Sequence, residues 1–290
     1  MKNKKTINYV KIREILKNIH IVISIICALL VLIYVFSIDI NAWFYYKRTT
    51  IAPDTTEYAG FLSTDKEIFL PLPRSLSNMT VEEAILLRRS IREYTEDPVK
   101  LEHLALILWS AYGVTETRYG LRAVPSAGGT YPLEVYVVIG SKGLIVSSEI
   151  YVKPGIYKYD FRRHSLVLLK EGDYRKELAR AALDQPWVEK APVSIVVFAI
   201  YERTTRIYGE RGYLRYVPME VGHLGQNVYL MATALGYGTV VVGAFHDDQV
   251  KSIIGVEVNE VPMYIIPIGV PKERSVYDFN DIWNYIEANR

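Results

Sequence analysis

Arg88-Arg89-Ser90-Ile91-Arg92 sets three arginines and a serine within five residues, directly after a short apolar helical pattern. Guanidinium groups grip phosphate through paired N–H donors, and a serine hydroxyl adds one more. The stretch reads either as a phosphate clamp or as a solvated basic turn. A second stretch tips the balance toward the clamp: Pro125-Ser126-Ala127-Gly128-Gly129-Thr130-Tyr131-Pro132. It is a loop of small residues running into the apolar strand Val135–Ile139. Small residues let a backbone approach a flat ligand closely.

The pattern around these stretches mixes helices and strands. Thr80-Val81-Glu82-Glu83 is a capping box and predicts a helix from Val81 to about Arg88. Leu101 to Tyr112 is amphipathic, and Gly113 stops it. Gly155–Asp160 and Ser165–Leu169 read as a hairpin. Tyr174–Leu183 is helical, and Val193–Ala199 is a β-branched apolar run, hence a buried central strand. Met219–Leu235 is the longest soluble helix, ended by Gly236-Tyr237-Gly238. Thr239–Val242 reads as a strand, Gly243-Ala244-Phe245 as a tight turn and Asp247–Ile254 as a helix capped by Asp247. Met263–Ile268 is the last strand. Without strict strand–helix alternation, the fold class is α+β, with a mixed or antiparallel sheet flanked by helices.

The N-terminal end differs in character. Residues 1–18 are basic, and Ile19 to Ile38 is almost wholly apolar, long enough to span a bilayer. Trp43, Phe44, Tyr45 and Tyr46 follow as an interfacial aromatic belt. The expectation is a single-pass anchor in the cell membrane, its N-terminus cytoplasmic by charge bias. Residues 39–75 read as a linker, the globular domain as 76–274, and 275–290 as a C-terminal tail.

Composition excludes several classes. A net charge of +2 gives no sign of a nucleic-acid partner. Cys27 is the single cysteine, so a disulfide framework or thiolate metal site within one chain is excluded. There is no GxxxxGK[ST], no GxGxxG after a strand, no GxSxG and no HExxH. His246-Asp247-Asp248 is the only local metal-like cluster, and a helix start explains it better, so no metal is expected. The arginine cluster, the small-residue loop and the Gly243-Ala244-Phe245 turn remain. Together they suit a flat ring bearing a phosphate tail, which flavin mononucleotide (FMN) is.

Four segments resemble the nitroreductase superfamily, and within it the SagB-type dehydrogenases related to thiazole/oxazole-forming peptide oxidases. They are Arg88 to Tyr94, Pro125 to Tyr136, Glu220 to Asn227 with the helix it opens, and Gly236-Tyr237-Gly238 running to Gly243-Ala244-Phe245 and Asp248. The resemblance covers about Leu76 to Arg274. It implies a nitroreductase-like mixed sheet flanked by helices, with FMN at a homodimer interface. It implies that Arg88, Arg89, Ser90 and Arg92 hold the phosphate end, and that Pro125, Ser126, Ala127, Gly128 and Gly129 line the ring. Gly243 and Ala244 fall at the flavin N5–O4 edge, and Lys272 or Arg274 reaches the phosphate. The implied activity is hydride transfer through flavin N5, with NAD(P)H or an organic substrate as donor and a small molecule or peptide as substrate. Two alternatives stand beside it: a peptide azoline dehydrogenase, and a non-catalytic membrane-anchored flavin-binding protein. Azoline-forming relatives carry a Lys-Tyr pair where this chain has Ile207-Tyr208, so the expected base is missing. Tyr208 is a candidate for proton transfer or a packing tyrosine.

Overall fold

Seven consecutive buried residues, Val193–Ala199, form a strand at the heart of an eight-stranded sheet. The computed structural model describes residue 27, residues 63 and 64, and residues 66–290. Residues 60–290 form one compact unit. The expected basic segment, membrane span and most of the linker lie outside the described residues, Cys27 apart. Among the described residues no helix is long and apolar enough to cross a membrane.

In chain order the sheet holds β1 (Ser63–Thr64), β2 (Glu67–Phe69), β3 (Leu133–Ile139), β4 (Gly155–Asp160) and β5 (Ser165–Glu171). It continues with β6 (Val193–Ala199), β7 (Gly238–Thr239) and β8 (Val261–Gly269). Across the sheet the order is β1-β2-β5-β4-β3-β6-β8-β7, and every neighbouring pair is antiparallel. The parallel contribution to this edge is a bridge from Ser90 to Thr239.

Period-two alternation explains the layers. Val135, Val137 and Ile139 of β3, with Ile195 and Val197 of β6, face one core. There they meet α2 (Leu101–Tyr112) and α6 (Val217–Ala234). Tyr136, Val138, Val196 and Phe198 face the other core. That side is covered by α3 (Arg175–Ala181), α4 (Pro186–Lys190) and α7 (Asp247–Ile254). Helices on both faces leave no solvent side to the central strands, which is why they read as unbroken apolar runs. Within residues 66–290 the other α-helices are α1 (Val81–Leu87), α5 (Glu202–Tyr208) and α8 (Phe279–Ala288), and a π-helical turn at Gly212–Tyr216 joins α5 to α6.

Four expectations need correction. Part of the linker is structured, because Glu67–Phe69 pairs with Ser165–Val167 as an added strand. The strand at Thr239–Val242 is shorter, with β7 ending at Thr239 and a lone bridge from Val242 to Ile265. The cap of α7 is His246, which makes no side-chain cap bond; Asp247 and Asp248 sit in the first turn, where carboxylates suit the helix dipole. The tail carries α8, whose Asp278 forms a capping box with Asp281.

Candidate functional site

The capping box on Thr80 starts α1, and at Arg88 the chain turns extended (φ −56°, ψ 124°). It then runs beside β7, where the Ile91 N–H donates to the Thr239 carbonyl at 2.9 Å. Gly238 permits that approach, since a Cβ there would lie 2.6 Å from Ile91 Cγ2. In extended backbone alternate side chains share a side. Arg88 and Ser90 accordingly both meet Tyr229 of α6. The Arg88 guanidinium stands 5.0 Å from the ring centroid, and the Ser90 hydroxyl lies 2.9 Å from the Tyr229 hydroxyl. Tyr229 also accepts the Val241 N–H at 3.0 Å, which ties the arginine stretch to the chain leading into Gly243.

Arg92 stands 5.4 Å over the Trp187 ring and donates to the Ser90 carbonyl at 3.4 Å. The Trp187 indole N–H beneath it is buried and has no protein partner. Among the described residues neither Arg88 nor Arg92 has a carboxylate partner. On the same side, the Ala244 carbonyl accepts the Gln185 amide at 3.0 Å. The space at Gly243 is open: a Cβ there would meet nothing closer than Tyr264 Cε1 at 3.9 Å.

Arg89 and Arg274 point elsewhere. With Leu87, Ile91, Leu235 and Tyr237 they line a separate cavity of about 340 Å3. Arg89 donates to the Leu86 and Arg88 carbonyls at 2.8 and 2.7 Å, and Arg274 to the Gly236 carbonyl at 3.2 Å. Both therefore serve carbonyls at helix C-termini, as basic residues commonly do. Lys272 is exposed, and its backbone N–H donates to the Glu93 carbonyl. The structure thus gathers Arg88, Ser90, Arg92, Gly243 and Ala244, and leaves Arg89 and Arg274 outside that group.

The small-residue loop is a tight turn over Ala127–Gly129, with Gly128 and Gly129 at φ 61° and 64°. Tyr208 lies on it: a Cβ on Gly128 would come 2.7 Å from the Tyr208 hydroxyl. Ser126 turns inward. Its oxygen accepts the Tyr131 N–H at 2.9 Å, and its hydroxyl donates to Glu220 of α6. Glu220 also accepts the Tyr112 hydroxyl at 2.6 Å. Burial pushes the Glu220 carboxyl above the usual range, while the Ser126 and Tyr112 hydroxyls and the Arg122 charge pull it back. Arg122 itself is sandwiched by the rings of Tyr112, Tyr131 and Phe161, at 4.4, 4.4 and 3.5 Å.

The loop and the arginines are held at different ends of one helix. Glu220 and Tyr229 are separated by about 13 Å along α6, taking a rise of about 1.5 Å per residue. Sequence reasoning missed Tyr229, Trp187, Tyr112 and Glu220. Only Glu220 carried a signal, as an acid on the apolar stripe of Val217, Val221 and Leu224.

The residues present fit FMN at its phosphate end: two arginines without counter-ions among the described residues, a serine, and an indole donor left unpaired among them. The open backbone at Gly243 suits a flat ring. Comparison with known proteins agrees with the fold. The Nitroreductase family model matches residues 85–270. A nitroreductase-family protein of Methanocaldococcus jannaschii is 47% identical over 203 residues, spanning 70% of this chain and 96% of its own. The crystal structure of a nitroreductase from Ralstonia eutropha superposes with a TM-score of 0.61 at 26% identity, covering 72% of this chain and 91% of that one. A chain of the Escherichia coli microcin synthetase McbBCD complex shares the fold at 20% identity and a TM-score of 0.54, covering 81% of this chain and 86% of its own. With the family model matching residues 85–270 and a relative 47% identical over 96% of its own length, this chain belongs to the nitroreductase family of oxidoreductases.

Proposed function

We propose that the chain is an FMN-dependent oxidoreductase that works as a homodimer. Bound FMN would supply hydride chemistry at its N5 atom, with NAD(P)H or an organic substrate as donor. Arg88, Ser90 and Arg92 hold the phosphate, and the Gly243–Ala244 backbone borders the ring. The observation that carries this is the pair of half-buried Arg88 and exposed Arg92, without carboxylate partners among the described residues, in the stretch that Tyr229 ties to the chain leading into the open backbone at Gly243.

The exposed face of α6 supports the two-copy arrangement. Met219, Gly222, His223 and Gln226 lie on it, between the loop end and the arginine end. A Cβ on Gly222 would meet nothing within 4 Å, so a second helix has room to approach. A twofold axis across this face runs two copies of α6 antiparallel, and the loop of one copy then faces the arginines of the other. Tyr208, resting on that loop, is the group positioned to exchange a proton with a substrate above it. Residues 19–38 anchor the protein in a membrane, with the N-terminus cytoplasmic.

A peptide substrate is the second reading, drawn from the likeness to the microcin synthetase complex, which was solved with a truncated pro-peptide bound. Ile207 supplies no base, so Tyr208 would act alone there. The discriminating experiment is anaerobic titration of the FMN-reconstituted protein with NADH and NADPH, followed by the visible flavin absorbance. Bleaching supports a nicotinamide-driven reductase. Bound flavin that neither nucleotide reduces, but that an azoline-containing peptide does, supports the second reading.

A further inference from the structure

The C-terminal helix has no side chain buried in its own chain. Tyr277, Phe279, Ile282, Trp283, Tyr285 and Ile286 are all exposed, Trp283 at 69% and Tyr285 at 70%. Phe279, Ile282, Trp283 and Ile286 recur at helical spacing and make one apolar stripe on α8. An amphipathic helix of ten residues gains too little from propensity to stand alone in water, so its stripe needs a cover. Asp278, Asp281 and Glu287 give the helix three carboxylates against one base, Arg290, which pairs with Glu287 at 3.6 Å. That charge is the wrong sign for an anionic lipid surface.

The same chain displays one apolar strip of opposite charge. Ile207, Tyr213, Leu214 and Met219 are exposed over α5, the π-helical turn and the start of α6. Arg206, Arg211 and Arg215 are exposed in the same stretch, against Glu202 and Glu210. The two surfaces sit at opposite ends of α6. The strip adjoins its N-terminal end, and α8 leaves from its C-terminal end. There Arg274 donates to the Gly236 carbonyl, and Arg89 stands 5.4 Å over the Tyr277 ring.

We infer that α8 of one copy docks on the α5–π-turn strip of a second copy, resting on the two-copy arrangement proposed above. Antiparallel pairing through the open face of α6 carries the C-terminal end of one helix to the N-terminal end of the other. The acidic apolar stripe then meets the basic apolar strip, twice per dimer.

The test uses the full chain with Cys27→Ser, coexpressed as two differently tagged forms, one carrying Trp283→Cys and the other Leu214→Cys. Mild oxidation should link the two tags. The link should be lost when Arg211→Glu and Arg215→Glu are added to the second form. A Gly222→Cys form alone reports the α6 pairing by self-linking. If it self-links while the tags stay apart, the dimer stands and the α8 docking is wrong. If neither links and light scattering gives a monomer, the two-copy arrangement itself is wrong. A Trp283→Cys, Leu214→Cys double variant that closes a link within one chain overturns the proposal. So does a polarity-sensitive dye on Trp283→Cys that responds to phosphatidylcholine vesicles while no link forms.

Discussion

The Ser90 hydroxyl lies 2.9 Å from the Tyr229 hydroxyl, which in turn accepts the Val241 N–H at 3.0 Å. One phenol thus joins the arginine stretch, the long helix and the segment leading to Gly243. Tyr229→Phe keeps the ring under Arg88 and removes both bonds. It should weaken FMN binding by roughly threefold to tenfold, the worth of one hydrogen bond of about 1 kcal/mol. Titration of flavin fluorescence checks this, and an unchanged affinity would show that Ser90 needs no anchor.

Glu220 is only 3% exposed and accepts from both Tyr112 and Ser126. Glu220→Leu leaves the buried Tyr112 hydroxyl and the half-buried Ser126 hydroxyl without their carboxylate acceptor and should cost roughly 2–4 kcal/mol in denaturant unfolding. Adding Tyr112→Phe removes one orphan, so the double variant should recover part of the loss. Simple additivity of the two changes would mean the pair is not coupled.

Gly128 has φ 61° and has the Tyr208 hydroxyl directly above it. Gly128→Ala adds both left-handed strain and a clash, and should destabilise by about 1–3 kcal/mol. Pairing it with Tyr208→Phe relieves the clash alone, so the melting temperature should return only partway.

Much of this frame was legible beforehand because it rests on local rules. The run Val193–Ala199 is a strand over the bounds its pattern set, and so is the helix Asp247–Ile254. The arginine stretch was readable as a cluster, but not its two-sidedness. Arg88 and Arg89 are adjacent and chemically identical, and only the extended backbone beside Gly238 sends them to opposite sides. Ser126 was expected toward the ring, yet its hydroxyl is used within the protein by Tyr131 and Glu220. Such long-range partners leave no periodic trace. The strand Glu67–Phe69 was missed for a related reason: three residues among prolines carry too little pattern, and pairing with β5 is what fixes them.

Two half-buried histidines give the fold a pH dependence. His164 Nε2 donates to the Pro71 carbonyl at 3.0 Å, so Nδ1 accepts from the Tyr159 hydroxyl. Tyr237 takes the Lys100 N–H and donates to His103 Nδ1. Burial holds both imidazoles below their ordinary pKa of 6.5. The unfolded chain therefore binds more protons just below that pH, and stability is full above it and lost as pH falls through it. Burial raises the Glu220 and Glu260 carboxyls from 4.5, an effect of opposite sign, so the comparison belongs at the upper end of the acid range. The melting temperature should fall between pH of about 7.5 and about 5.5. His164→Gln should flatten the fall, and an identical slope in that variant would remove His164 from the account.

The most direct test of the flavin site compares FMN with riboflavin, which lacks only the phosphate. Titrated against the wild-type protein, FMN should bind at least about tenfold more tightly than riboflavin, and Arg92→Ala should erase that difference while leaving riboflavin unchanged. Equal affinity of the wild-type protein for the two flavins would contradict a phosphate clamp at Arg88, Ser90 and Arg92, and with it the placement of FMN proposed for this chain.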